Sequence, residues 1–143
     1  MGKGDFRLVG DTIESVNSIV YLSKEQCSML SKLYSIGENV IEEEKGYYHT
    51  IEEDLRRKFN ESVVQDIISR RICVAYSPDI DSNIACGTSF HLLLNRGEEN
   101  TLMIYQRSMS NRFFISDIIF YSKLASDYDC ALSITIGSLH FII

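Results

Sequence analysis

The chain has 143 residues, 45% of them apolar and 24% charged, with one proline and a net charge of −6. This length predicts one domain able to bury a core without staples, since a chain of this size hides roughly 68–70% of its unfolded surface. The acidic balance argues against broad, sequence-independent nucleic-acid binding, and no apolar run reaches the ~18 residues of a membrane span.

In chain order, Asp5–Gly10 reads as a short first strand. Thr12–Leu22 carries Ile13, Val16, Ile19 and Val20 at helical spacing. Ser23-Lys24-Glu25-Gln26 is a capping box, followed by a stripe of Cys27, Leu30, Leu33 and Tyr34, which predicts a helix to Ile36 stopped by Gly37. Glu42–Gly46 reads as an exposed loop or helix end. Thr50-Ile51-Glu52-Glu53 and Ser62-Val63-Val64-Gln65 are two further capping boxes, each expected to open a short helix, the second running through Ile68.

Ile72–Tyr76 predicts a strand closed by Ser77-Pro78, with a polar loop over Asp79–Asn83. Cys86–Leu94 and Thr101–Tyr105 predict a hairpin, Ser116–Ala125 a helix, and Ala131–Ile143 a last strand. No repeat or linker divides the chain, so residues 1–143 are expected to form one domain. Helices first and strands later is an α+β pattern.

Four scattered cysteines, Cys27, Cys73, Cys86 and Cys130, show no framework spacing, and no Cys/His set has the spacing of a metal site. With a polar N-terminus, which predicts no signal peptide, the expectation is a reduced, cytoplasmic protein with no metal. Taken alone, Cys86 is either a small buried hydrophobe or a nucleophile whose thiol is lowered from about 8.5 by cationic neighbours. Arg70, Arg71 and Arg107 are either solvated charge or, with Ser108, a set of forked donors suited to a phosphate monoester. His140 reads as a strand histidine and Asp117 as a carboxylate near a helix start. His49 and His91 read as structural or exposed.

The order Ser69-Arg70-Arg71-Ile72, Cys86, Tyr105-Gln106-Arg107-Ser108, Gly137-Ser138-Leu139-His140 resembles the catalytic half of the thymidylate synthase family, which includes the phage deoxypyrimidine hydroxymethylases. The resemblance covers about Ile51 to Ile143. It implies a reduced thymidylate-synthase-like α+β fold, a mixed sheet backed by helices. It implies Cys86 as the nucleophile that adds to C6 of a pyrimidine, and Arg107 and Ser108 as phosphate ligands. Arg70 and Arg71 would reach the same phosphate from the other subunit of a homodimer. His140 would bind the sugar. Asp117 would read the pyrimidine edge, favouring dCMP over dUMP, and methylenetetrahydrofolate would be the one-carbon donor of an active enzyme.

The chain departs from that pattern in several places. Ala85 and Gly87 replace the proline and histidine around the nucleophile, and Ser138 and Ile142 replace an aspartate and a tyrosine near His140. Ser110 replaces a folate-binding aspartate. No tryptophan is present, and no glutamate stands at the family's general-base position in Leu30–Asn39. A closing segment is expected to be missing after the His140 strand. Two functions follow: a pyrimidine nucleoside monophosphate-binding protein of the C5-transferase type, or an inactive scaffold of the same fold, suited to a phage, that acts by binding another protein.

Overall fold

The computed structural model describes residues 2–9, 12–64, 71–76, 88–94 and 99–142. Six strands form one sheet: β1 (Gly2–Val9), β2 (Thr12–Leu22), β3 (Arg71–Ala75), β4 (Ser89–Leu93), β5 (Thr101–Ser110) and β6 (Ala131–Ile142). Their spatial order is β1-β2-β6-β5-β4-β3. Every neighbouring pair is antiparallel except β5 and β6. That parallel pair needs a crossover, and α3 (Asn111–Asp127) supplies it. The result is an α+β domain with a mixed sheet. Among the described residues no helix is long and apolar enough to cross a membrane.

Local signals explain α1 (Lys24–Ile36). Ser23 Oγ accepts from the Gln26 amide, and the Gln26 side chain accepts from the Ser23 amide, so the capping box forms as expected. Gly37 then adopts φ 72°, which only glycine reaches at little cost, and ends the helix.

Several expectations are overturned. Thr12–Leu22 is the strand β2 and not a helix, paired with β6 along its length. Its Ser18, Val20 and Leu22 are buried while Ile19 and Tyr21 are exposed, a period of two. Apolar β-branched residues on both sides of the strand imitate helical spacing, and the ladder decides. The Thr50 and Ser62 boxes open no helices. Both residues lie inside α2 (Lys45–Val64), where their hydroxyls donate back to the carbonyls of Gly46 and Lys58. A 3-10 turn, Glu42–Glu44, leads into that helix. Two strands thus precede the helices, against the order expected. The hairpin forms, with β4 and β5 antiparallel, but β5 runs on past the expected Tyr105 to Ser110, and the start of the expected first arm at Cys86 lies outside the described residues; the last strand forms over Ala131–Ile142. The Ser77–Asn83 loop, and the part of the third expected helix beyond Val64, lie outside the described residues.

The helices cover one sheet face. The core joins Leu102, Ile104, Leu132, Ile134, Phe90 and Leu92 from the strands to Cys27, Tyr48, Ile51, Leu55, Phe120 and Leu124 from the helices. Among the described residues no helix covers the other face, called here the open face. It carries Ile19, Tyr21, Met103 and Tyr105, each more than 40% exposed.

Candidate functional site

The parallel pair β5–β6 gathers its C-terminal ends side by side, the edge where α/β crossovers place their ligand sites. Ser108 stands opposite Ser138 and Ser110 opposite His140 in the ladder. The two motifs, Gln106-Arg107-Ser108 and Gly137-Ser138-Leu139-His140, are therefore neighbours, a relation set by backbone register. Gly137 is required at this join. A Cβ there would lie 2.7 Å from the Arg107 carbonyl oxygen and 3.2 Å from the Tyr105 hydroxyl.

Alternation along β5 separates the pieces. Gln106 is buried on the helical side, whereas Tyr105 and Arg107 point to the open face. Arg71, the first residue of β3, is also exposed, ahead of the buried Ile72. Arg71 pairs with Leu93 and Leu93 with Thr101, so Arg107 lies two strands across and six residues further along. That places the two arginines about 20 Å apart within one chain, and they do not meet. Cys86 and Arg70 lie outside the described residues, as do the side chains of Ser108 and His140.

Asp117 occupies a different setting from the one expected. α3 begins at Asn111, not Ser116, so Asp117 lies in the second turn and not at the helix start. It is 4% exposed. Tyr48 donates to its Oδ1 at 2.7 Å, and the Gln106 side chain hydrogen-bonds the same carboxyl. Burial pushes the acid up to about 7; the half-buried Glu44 adds to this, while the two donors pull it down. Tyr48 also meets Ser116 Oγ at 2.6 Å, and Ser116 accepts from the Ile41 amide at 3.0 Å. On the far side, Tyr121 donates to Gln106 Oε1 at 2.5 Å and meets the Tyr47 hydroxyl at 3.0 Å. A polar network thus ties α2, β5 and α3 together inside a largely apolar core.

The remaining candidates are quieter. Burial pushes the Cys27 thiol up to about 11 and Cys130 to about 12, so neither is a thiolate at neutral pH. Cys73 is exposed on the open face opposite His91, with Sγ 3.9 Å from Nε2. His91 borders a cavity of about 190 Å³ with Arg71, Met103, Tyr105 and Thr135, and burial and Arg71 hold its ring below the usual histidine range. His49, Glu52 and Glu53 bring ligand atoms within 4.8 Å of one another. Lys123 and Arg56 already hold those two carboxylates.

Neither a protein-family model nor a curated protein matches the chain. Sequence reasoning passed over Tyr47, Tyr48, Ser116 and Tyr121. Two signals were available. Tyr48, Ile51 and Leu55 recur at helical spacing, so a phenol on an inward stripe demands a partner. Gln106 continues the inward alternation of Leu102 and Ile104, which marks a polar group aimed at the core.

Proposed function

We propose that the chain is a pyrimidine nucleoside monophosphate-binding protein related to the thymidylate synthase and deoxypyrimidine hydroxymethylase family, with dCMP preferred over dUMP. The observation that carries this reading is the β5–α3–β6 unit. It sets the Arg107-Ser108 segment beside the His140 segment, and α3 returns Asp117 onto Gln106. An anion-binding pair and a histidine on neighbouring strand ends suit the phosphate and sugar of a nucleotide, while Asp117 lies buried on the opposite, helical face.

In this reading Cys86 is the nucleophile. Its thiolate forms a C–S bond at C6 of the pyrimidine, C5 takes a proton from solvent, and reversal releases the other C5 hydrogen and the thiolate. The residues present do not fit a folate donor. Ser110, opposite His140, offers no carboxylate, and the chain has no tryptophan to wall a pterin. No step is derived through methylenetetrahydrofolate.

The reading includes a homodimer packed through the open face. Arg71 stands too far from Arg107 to share a phosphate within one chain, so Arg70 and Arg71 would serve the site of the second copy. A second reading, an inactive scaffold that binds another protein, is favoured by the same face, where Ile19, Tyr21, Met103 and Tyr105 lie uncovered.

The test is calorimetry with dCMP and dUMP on the parent and on Arg107→Ala. Loss of a charge-assisted contact should weaken binding by roughly 2–3 kcal/mol, about thirtyfold to a hundredfold. A parent that binds neither nucleotide leaves the scaffold reading standing.

A further inference from the structure

The open face is polarised across its strands. On one side of β5, strands β3 and β4 bring a guanidinium and an imidazole, Arg71 and His91. On β5 itself stand Met103 and Tyr105, and past β6 come Tyr21 and Ile19, in register with Ser133 and Thr135. A cavity of about 190 Å³ lies where the charged and apolar parts meet, lined by Arg71, His91, Met103, Tyr105 and Thr135. Tyr105 gives it shape. Its hydroxyl lies 3.2 Å from the place a Cβ of Gly137 would take, two residues beyond its ladder partner Thr135. The ring therefore leans away from Met103 and leaves the space between them.

The cavity carries one unanswered positive charge. Arg56, Arg57 and Arg112 each pair with a carboxylate. Among the described residues no carboxylate pairs with Arg71, and none lines the cavity. His91 adds no second charge at neutral pH, because burial and Arg71 hold its ring below the usual histidine range. Its Nε2 is already met by Ser89 Oγ at 3.2 Å, with Cys73 Sγ at 3.9 Å. A single planar guanidinium matches a carboxylate, which it holds by two parallel bonds. The Met103 thioether and the Tyr105 ring offer apolar contact to the rest of such a molecule. Size narrows the class further. The space equals about six waters at ~30 Å³ each, below the ~300 Å³ at which pockets for drug-sized ligands begin. A nucleoside monophosphate does not fit, whereas a ring or short branched chain bearing one carboxylate does.

We propose that this cavity is a second binding site, separate from the strand ends that carry Arg107 and His140, and that it takes a small monocarboxylate with an apolar body: the carboxylate on Arg71, the body between Met103 and Tyr105. The inference does not rest on the nucleotide reading. A second copy packed on the open face would cover the cavity, so this ligand and the dimer compete for Arg71.

The experiment is an NMR titration of the parent with benzoate, following the Met103 and Thr135 methyl groups. Benzamide, the same ring without the charge, and inorganic phosphate, a charge without the ring, are run beside it. Benzoate should saturate and move both methyl groups, with benzamide and phosphate each at least about tenfold weaker, and Arg71→Gln should lower benzoate affinity about tenfold. If the parent sediments as a dimer, saturating benzoate should shift it toward the monomer. Equal binding of benzoate and benzamide, methyl groups that do not move, or an Arg71→Gln variant that binds like the parent overturns the site. Phosphate that binds more tightly than benzoate overturns the carboxylate assignment and leaves Arg71 to a phosphate. The benzoate–benzamide comparison uses the parent alone, so it decides the matter even where the variant fails to fold. None of these outcomes bears on the dCMP and dUMP calorimetry, which tests the nucleotide reading separately.

Discussion

Gly137 and Arg107 meet with no room for a side chain between them: a Cβ on Gly137 would stand 2.7 Å from the Arg107 carbonyl oxygen. That oxygen is backbone and cannot swing away. Gly137→Ala should therefore push β6 from β5 and cost about 1–3 kcal/mol of stability. Urea unfolding measures this. If the nucleotide reading holds, the same substitution weakens dCMP binding, because the shift falls between the two motif-bearing strand ends. An alanine variant as stable as the parent would show that the join is loose.

Asp117 should make stability fall as pH rises. Its carboxyl moves from 3.8 in the unfolded chain to about 7 in the fold. Between those values the native state holds the proton and the unfolded chain does not. The stabilisation is complete below about pH 4 and is lost as pH rises through 7. Asp117→Asn keeps an acceptor for Tyr48 and removes the titration. Urea curves from pH 4 to pH 8 should show the variant gaining on the parent by a few kcal/mol, on the order of 3–4. Parallel curves would mean that Asp117 is ionised throughout.

The open face predicts self-association. Met103 lies at its centre, opposite His91 on one side and Ser133 on the other. Sedimentation of the parent at micromolar concentration should give about twice the chain mass, and Met103→Glu should give a monomer, since a buried unpaired carboxylate at the seam costs several kcal/mol. A parent that sediments as a monomer removes the shared-phosphate arrangement of Arg70 and Arg71.

Cys86 should support exchange of the C5 hydrogen of a bound pyrimidine without any one-carbon donor. Tritium release from 5-labelled dCMP measures it, with Cys86→Ala as the inactive control. No release at saturating nucleotide assigns Cys86 to packing.

The elements legible in the sequence are those whose stabilising contacts are local. Ser23 and Gln26 close a box three residues apart, Gly37 supplies its own backbone freedom, and the hairpin of β4 and β5 pairs across a short connection. The β5–β6 motifs were legible too, as strings of residue types. What only the tertiary structure decided depends on partners distant along the chain. Thr12–Leu22 is a strand because β6, more than a hundred residues later, completes its ladder. Thr50 and Ser62 are not caps because packing of α2 against the sheet carries one helix through both. Asp117 reads in sequence as a helix-end charge. It becomes a buried acid held near neutrality because Tyr48, Glu44 and Gln106 arrive from three other elements and exclude water. Sheet register likewise puts Arg107 on one face and Gln106 on the other, and holds Arg71 away from both, since side-chain direction in a strand is set by the pleat and the pairing, not by residue type.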